Sequence, residues 1–312
     1  MSEKIHRPVF RLETANARKL GIVGLTVTAL IASGHVLFNT RTGVHAVFEI
    51  FGIGGDTPEW VASPEDPPVP VVQTAALTRS LTYPGEILQP SGLAWDASAD
   101  QFLIVTDQAE LFAVSRHLDK LLSRTTMSRA PLIARQGSVE TVAALESGAV
   151  VAGRDHSLPT WQATDGVWRR GETLRTDGSG LPMSGDVTSM ASEPGTGRLF
   201  AADEDGALWR QAQSGSGWEP LVLSGEVRER RTLDEYRIVG LEYSAGRLYA
   251  LTAHYPNILV IDPASGRIEQ AFALDGLQDQ SGLAIVGGEA FVTVDHEYDE
   301  PSPGLMVFDL EG

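Results

Sequence analysis

The chain of 312 residues contains no cysteine, which excludes disulfide staples, thiol nucleophiles and thiolate-bound metal together. No G-x-S-x-G elbow occurs, so the usual serine-hydrolase geometry has no carrier in the sequence. Positive charge is scarce, with 24 Lys and Arg against 41 Asp and Glu for a formal balance of −17. The shortage is uneven, because residues 1–19 hold Lys4, Arg7, Arg11, Arg18 and Lys19 against only Glu3 and Glu13. Beyond them 19 basic residues face 39 acidic ones, a balance of −20. Such a surface repels phosphate backbones and anionic headgroups, and nucleic acid is excluded as a partner.

Long apolar runs are equally few. One stretch, residues 20–38 (LGIVGLTVTALIASGHVLF), passes 19 residues without a formal charge. At 1.5 Å per residue it reaches about 28 Å as a helix, close to a hydrocarbon core of about 30 Å. The expectation is a single transmembrane anchor, with a cleaved signal peptide as the rival. The basic cluster before it and the lone Arg41 just after it put residues 1–19 in the cytoplasm and the acidic remainder outside. Residues 39–70 form a juxtamembrane segment and tether; DTPEWVASPEDPPVP (56–70) has five prolines and no apolar period, the composition of a stiff spacer. Residues 71–312 are then the folded domain, extracytoplasmic or periplasmic on the inner membrane.

What is abundant in that domain is repetition. A short phrase returns as SGLAW at Ser91, ETVAA at Glu140, TSMAS at Thr188, VGLEY at Val239 and SGLAI at Ser281. Aligned on the second position of each, Gly92, Thr141, Ser189, Gly240 and Gly282 are separated by 49, 48, 51 and 42 residues. Two further apolar runs follow each phrase, such as FLIVTD then ELFAV, or RLYALTAH then ILVID. Runs this short, rich in β-branched and aromatic residues and bounded by turn residues such as Asp205-Gly206, are strands of small antiparallel sheets. The pattern predicts an all-β domain, a five-bladed β-propeller, with six blades as the alternative and no sixth phrase to support it. The last unit ends on a third strand, LMVFDL (305–310); residues 71–83 are the expected donor of its fourth, closing the ring.

The order of these units resembles the SdiA-regulated, or YjiK-like, family of membrane-anchored bacterial β-propellers. PGEILQPSGLAWDASADQFLIVTD is similar to that family's opening and VETVAALESGAVVAGRD to its second unit, and the resemblance runs from about Tyr83 to Leu310. It implies a propeller behind one N-terminal anchor and supplies no catalytic residue. The family's acidic residues in later phrases are replaced here by Thr188-Ser189, Val239-Gly240 and Ser281-Gly282.

Antiparallel pairing sets the start of each inner strand beside the end of the next strand, which carries Thr106-Asp107, Asp155-His156, Asp203-Glu204, His254-Tyr255 and His296-Glu297. The candidate ligand-binding rim is therefore Ser91, Asp107, Glu140, His156, Asp203, Glu204, His254, His296 and Glu297. Carboxylates and imidazoles gathered at one opening suit a divalent cation such as calcium, with Glu140, Asp203, His254 and His296 as candidate ligands. The competing explanation is that polar residues at strand ends cap turns. Two functions follow. The first is a non-catalytic binding or scaffolding module for an envelope protein or small ligand. The second is a metal-dependent hydrolase of esterase, lactonase or phosphatase type, weakened by the single asparagine, Asn257, beyond residue 70, since propeller lactonases commonly pair asparagine with carboxylates around their ion.

Overall fold

The computed structural model describes residues 72–84, 87–127, 139–153, 157–165, 167–175, 186–203, 206–212, 217–224, 237–253, 256–274, 277, 279–294 and 304–310. All of them belong to the second of two compact units, Thr57–Gly312. The expected anchor at 20–38 and the tether lie outside the described residues, among which no helix is long and apolar enough to cross a membrane.

Every element among the described residues is a strand. After β1 (Val72–Leu81) come three four-stranded antiparallel sheets. The first holds β2 (Pro90–Asp96), β3 (Gln101–Thr106), β4 (Glu110–Ser115) and β5 (Leu121–Thr126). The second holds β6 (Thr141–Ala144), β7 (Ala149–Gly153), β8 (Ser157–Thr164) and β9 (Val167–Arg175). The third holds β10 (Val187–Ser192), β11 (Leu199–Asp203), β12 (Leu208–Gln211) and β13 (Trp218–Pro220). Then follow β14 (Ile238–Ser244), β15 (Arg247–Thr252), β16 (Asn257–Ile261), β17 (Ile268–Leu274), β18 (Gln280–Val286), β19 (Glu289–Val294) and β20 (Leu305–Asp309). These seven join β1 in one eight-stranded sheet, ordered β14-β15-β16-β17-β1-β20-β19-β18.

The early strands of each unit read as near-continuous apolar runs because both faces of each sheet are covered. In β3, Phe102, Leu103, Ile104 and Val105 are all fully buried. Leu103 and Val105 pack toward the second sheet with Val142, Val150 and Trp161, whereas Phe102 and Ile104 pack toward Phe291, Leu305 and Val307. The same division holds between the second and third sheets around Met190 and Leu158. It holds again between the third sheet and β14–β16 around Phe200, Leu241 and Leu248. Finally, Leu251 and Ile258 meet Leu283, Val292 and Phe308 across the two halves of the eight-stranded sheet. The apolar layers thus lie between successive sheets and return to the first. By contrast the outer strand β5 alternates between exposed and half-buried positions, as expected where only one face is covered. Tight reversals carry the appropriate backbone: Gly287 and Gly288, between β18 and β19, both have positive φ (61° and 83°), the requirement of a two-residue hairpin turn.

The strand predicted to complete the last unit is β1. Its Ala76–Leu81 portion pairs antiparallel with β20, from Ala76 opposite Asp309 to Leu81 opposite Leu305. Its first residues do something the sequence did not suggest: Val72–Ala75 run parallel to β17, opposite Ala271–Leu274. One strand therefore stitches two neighbouring sheet units. Arg79 adds a two-pronged ion pair, its guanidinium donating to both carboxylate oxygens of Glu289 on β19 (2.5 and 2.8 Å).

Candidate functional site

The repeated phrases form the inner strands β2, β6, β10, β14 and β18, and each touches the next, with β18 returning to β2. Four of the five carry the same irregularity. The pairing skips one residue at Ser91, Thr188, Val239 and Ser281, the first position of each phrase. Such a bulge turns the extra residue out of the ladder, and three of these side chains are hydroxyls. Thr188 Oγ1 donates to Ile238 O of the following inner strand (2.7 Å). Ser91 donates in the same way to Val139 O, and Ser281 to Pro90 O. Thr293 on β19 supports the last by a 3.0 Å hydroxyl contact to Ser281. The hydroxyl of one phrase thus binds the carbonyl just before the next phrase.

The position after the bulge is where the inner strands come closest. A Cβ on Gly282 would stand 2.6 Å from Leu93 N, one on Gly240 2.8 Å from Leu283 N, and one on Gly92 3.0 Å from Glu140 O. The other two copies carry Thr141 and Ser189 instead, and both are buried with hydroxyl oxygens that have no hydrogen-bond partner among the described residues. These two residues, with Glu140, Val239 and the three glycines, line a small axial space of about 10 Å³, room for about one water. Small-molecule pockets occupy ~300–1,000 Å³, so this space admits water or an ion and no organic substrate.

Of the predicted rim, the structure brings Ser91 and Glu140 to the axis, Ser91 as a clamp between strands and Glu140 in the lining. Asp203 is buried at the end of β11, where its carboxylate accepts from Ala207 N (2.8 Å) and from the Trp209 indole (3.4 Å), so it organises the β11–β12 turn. Asp107 lies in the turn after β3, with its main-chain N–H donating to Gln89 O (3.1 Å). Its counterpart in the β14 unit is Ala253, which donates to Arg237 O (2.8 Å). His156, Glu204, His254, His296 and Glu297 lie outside the described residues. Among the described residues no three His, Cys, Asp or Glu side chains converge in a metal-binding group.

Two polar residues on inner strands, Gln280 buried and Glu242 half-buried, were not singled out from the sequence. Gln280, just before the last phrase, donates from its amide to Thr252 O and Ala253 O (2.6 and 2.9 Å), tying β18 to the β14–β15 unit. Glu242 on β14 stands where the other phrases carry Ala94, Ala143, Ala191 and Ala284. Its Oε1 accepts from Tyr243 N (3.1 Å) and its Oε2 from Trp95 N on β2 (3.4 Å). Burial pushes its carboxyl up to about 8, against the two N–H donors that favour the ionised form. The signal that finds it is the break in an otherwise all-alanine register.

Neither a family model nor a curated protein sequence matches the chain. Solved structures do. Glutaminyl cyclase of Myxococcus xanthus is similar over 77% of this chain and 96% of its own, at 18% identity and a TM-score of 0.53. The β-propeller domain of Cps50 (Swd1) from Myceliophteria thermophila covers 75% of this chain and 73% of its own, at 12% identity and a TM-score of 0.42. Identities this low speak to fold alone. The closed succession of inner strands, each heading an antiparallel sheet, is itself the arrangement of a β-propeller.

Proposed function

We propose that the chain is a five-bladed propeller of the SdiA-regulated type, anchored in the inner membrane through residues 20–38. It acts outside the cytoplasm as a non-catalytic binding or scaffolding module. Counting the eight-stranded sheet as two blades that share β1 gives five, one for each phrase. The observation that carries the binding role is the near-filled axis, with only about 10 Å³ of space, too small for an organic substrate, so recognition falls to the loops around the mouth where the phrases begin. A photo-crosslinking side chain placed at Asp107 or Glu140 in whole cells is expected to trap a discrete envelope partner. The same group at Val222, which is 68% exposed on an outer segment, is expected to trap none. Equal labelling from all three positions would reject the mouth as the binding surface.

A second reading, a divalent cation at the same mouth, is favoured by the unpartnered hydroxyls of Thr141 and Ser189 beside Glu140. An all-oxygen donor set suits a hard cation such as calcium rather than zinc. Such an ion is also what the hydrolase alternative requires of this mouth. Calcium at a hundredfold excess over its dissociation constant stabilises by about 2.7 kcal/mol. The full chain is therefore expected to melt roughly 5–10 °C higher with calcium than with chelator, and Glu140→Gln is expected to remove most of that difference. No calcium-dependent shift in the unmodified chain would dispose of the cation and of the hydrolase with it.

A further inference from the structure

The acidic balance that repels anionic headgroups is not spread evenly. Residues 116–175 hold nine Lys and Arg against six Asp and Glu, whereas the rest of residues 20–312 hold ten against 33. Exposed apolar side chains follow the same division. Of the five large ones among the described residues, three lie on the outer strands of the first two sheets: Leu121 (39% exposed) and Leu122 (41%) on β5, and Val167 (55%) on β9.

Sheet topology puts all three at one end of the ring. Each inner strand starts at the mouth, and three antiparallel crossings bring the first residue of the outer strand to the opposite end. β5 begins with Leu121 and Leu122 and β9 with Val167, so both begin at that far end. The Trp168 indole donates to Ser123 Oγ (2.8 Å), which joins the two strands there. Lys120, Arg169 and Arg170 are exposed beside the apolar residues, and none of the three is in an ion pair among the described residues. Arg116 nearby is paired with Asp100 (3.6 Å). Two carboxylates share the corner, Asp119, which accepts from the Ser115 hydroxyl (2.5 Å), and Asp165 in the β8–β9 turn, so the positive charge is in surplus.

Aliphatic side chains flanked by long cations are the composition of a membrane-interface surface. The cation meets a headgroup phosphate while its stem and the apolar neighbours enter the acyl boundary. β1 approaches from the same end. Its Val72–Ala75 portion runs parallel to β17, and β17, as a fourth strand, runs from the far end toward the mouth. We propose that the far end of the first two sheets rests on an anionic phospholipid surface, with the mouth turned away from it and free for a partner. The proposal rests on the reading of residues 20–38 as an anchor, because a tether raises the effective concentration of such a surface to about millimolar, where a few contacts suffice.

The chain lacks cysteine, so one introduced thiol is its sole labelling site. The full chain is reconstituted into phosphatidylcholine vesicles with and without phosphatidylglycerol, carrying bimane at Leu122→Cys, at Val167→Cys or, at the mouth, at Asp107→Cys. With nitroxide-bearing lipids as quenchers, the two corner labels are expected to be quenched at least about twice as strongly as the mouth label when phosphatidylglycerol is present. Adding Lys120→Glu, Arg169→Glu and Arg170→Glu together is expected to bring them down to the mouth level. Corner labels quenched no more than the mouth label would overturn the proposal and leave this surface to an acidic protein partner. Quenching that the three charge reversals leave unchanged would overturn it as well. Alkaline carbonate extraction separates the docking surface from the anchor. A chain that resists extraction with unquenched corners keeps the anchor and loses the docking surface. A chain that extracts, yet shows phosphatidylglycerol-dependent corner quenching beforehand, keeps the docking surface and loses the anchor.

Discussion

Replacing Val72–Leu81 by a glycine-serine linker of equal length is expected to abolish cooperative unfolding. β1 is short of buried side chains, with Ala75 the one fully covered among residues 73–81, so its value lies in pairing. It meets β17 at four positions and β20 at five, and a backbone hydrogen bond is worth about 1 kcal/mol net. Ladders on that scale amount to a large share of the ~5–15 kcal/mol that holds a domain together. Their loss has a second consequence. β1 is the strand through which the two halves of the eight-stranded sheet are hydrogen-bonded, so its removal exposes the edges of β17 and β20 at once. Calorimetry of the replaced chain is expected to show a broad, low-enthalpy transition, restored by a synthetic peptide of residues 71–83. A sharp melt at the original temperature would mean that β1 is not the closing strand.

Gly282→Ala is expected to cost about 3 kcal/mol, the upper part of the range for overpacking, or roughly 6–12 °C in melting temperature for a domain of this size. The added methyl meets Leu93 N at 2.6 Å and the Thr293 hydroxyl at 2.8 Å. The first is backbone of the adjoining inner strand and cannot swing aside. The second already supports Ser281, whose own hydroxyl reaches Pro90 O, so displacing Thr293 loosens that junction too. Ser189→Ala, at the equivalent position of another phrase, is the matched control. It removes a hydroxyl that has no protein partner, so its effect is expected to stay within about 0.5 kcal/mol or to be stabilising. Equal melting temperatures for the two variants would show that the inner strands are not in close contact at Gly282.

Much of this was readable because the propeller repeats. Phrases at steps of 42 to 51 residues marked each inner strand, and the missing strand after LMVFDL pointed back to residues 71–83 as its donor. The site was less readable, for a physical reason. Serine and threonine at the phrase starts have the composition of a ligand rim, but the bulge turns their hydroxyls onto carbonyls at the start of the next phrase, partners 48, 50 and 191 residues away that no local pattern contains. Asp203 presents the same ambiguity in a shorter loop, since its carboxylate is equally at home in a rim or in the turn that it caps. Glu242 was passed over, although the register of the phrases sets it against four alanines.

The sequence by itself determined the all-β class, the place of the inner strands, the acidic balance and the exclusion of thiol chemistry, because these depend on composition and period. Only the tertiary structure decided which polar groups have something left to bind. That outcome depends on which carbonyl or N–H each side chain meets across the ring: Thr188 meets Ile238, Glu242 reaches Trp95, and the hydroxyls of Thr141 and Ser189 meet no partner among the described residues. Hydrogen bonds are settled by distances of tenths of an ångström between strands far apart in the chain, and such distances exist only once the ring has closed.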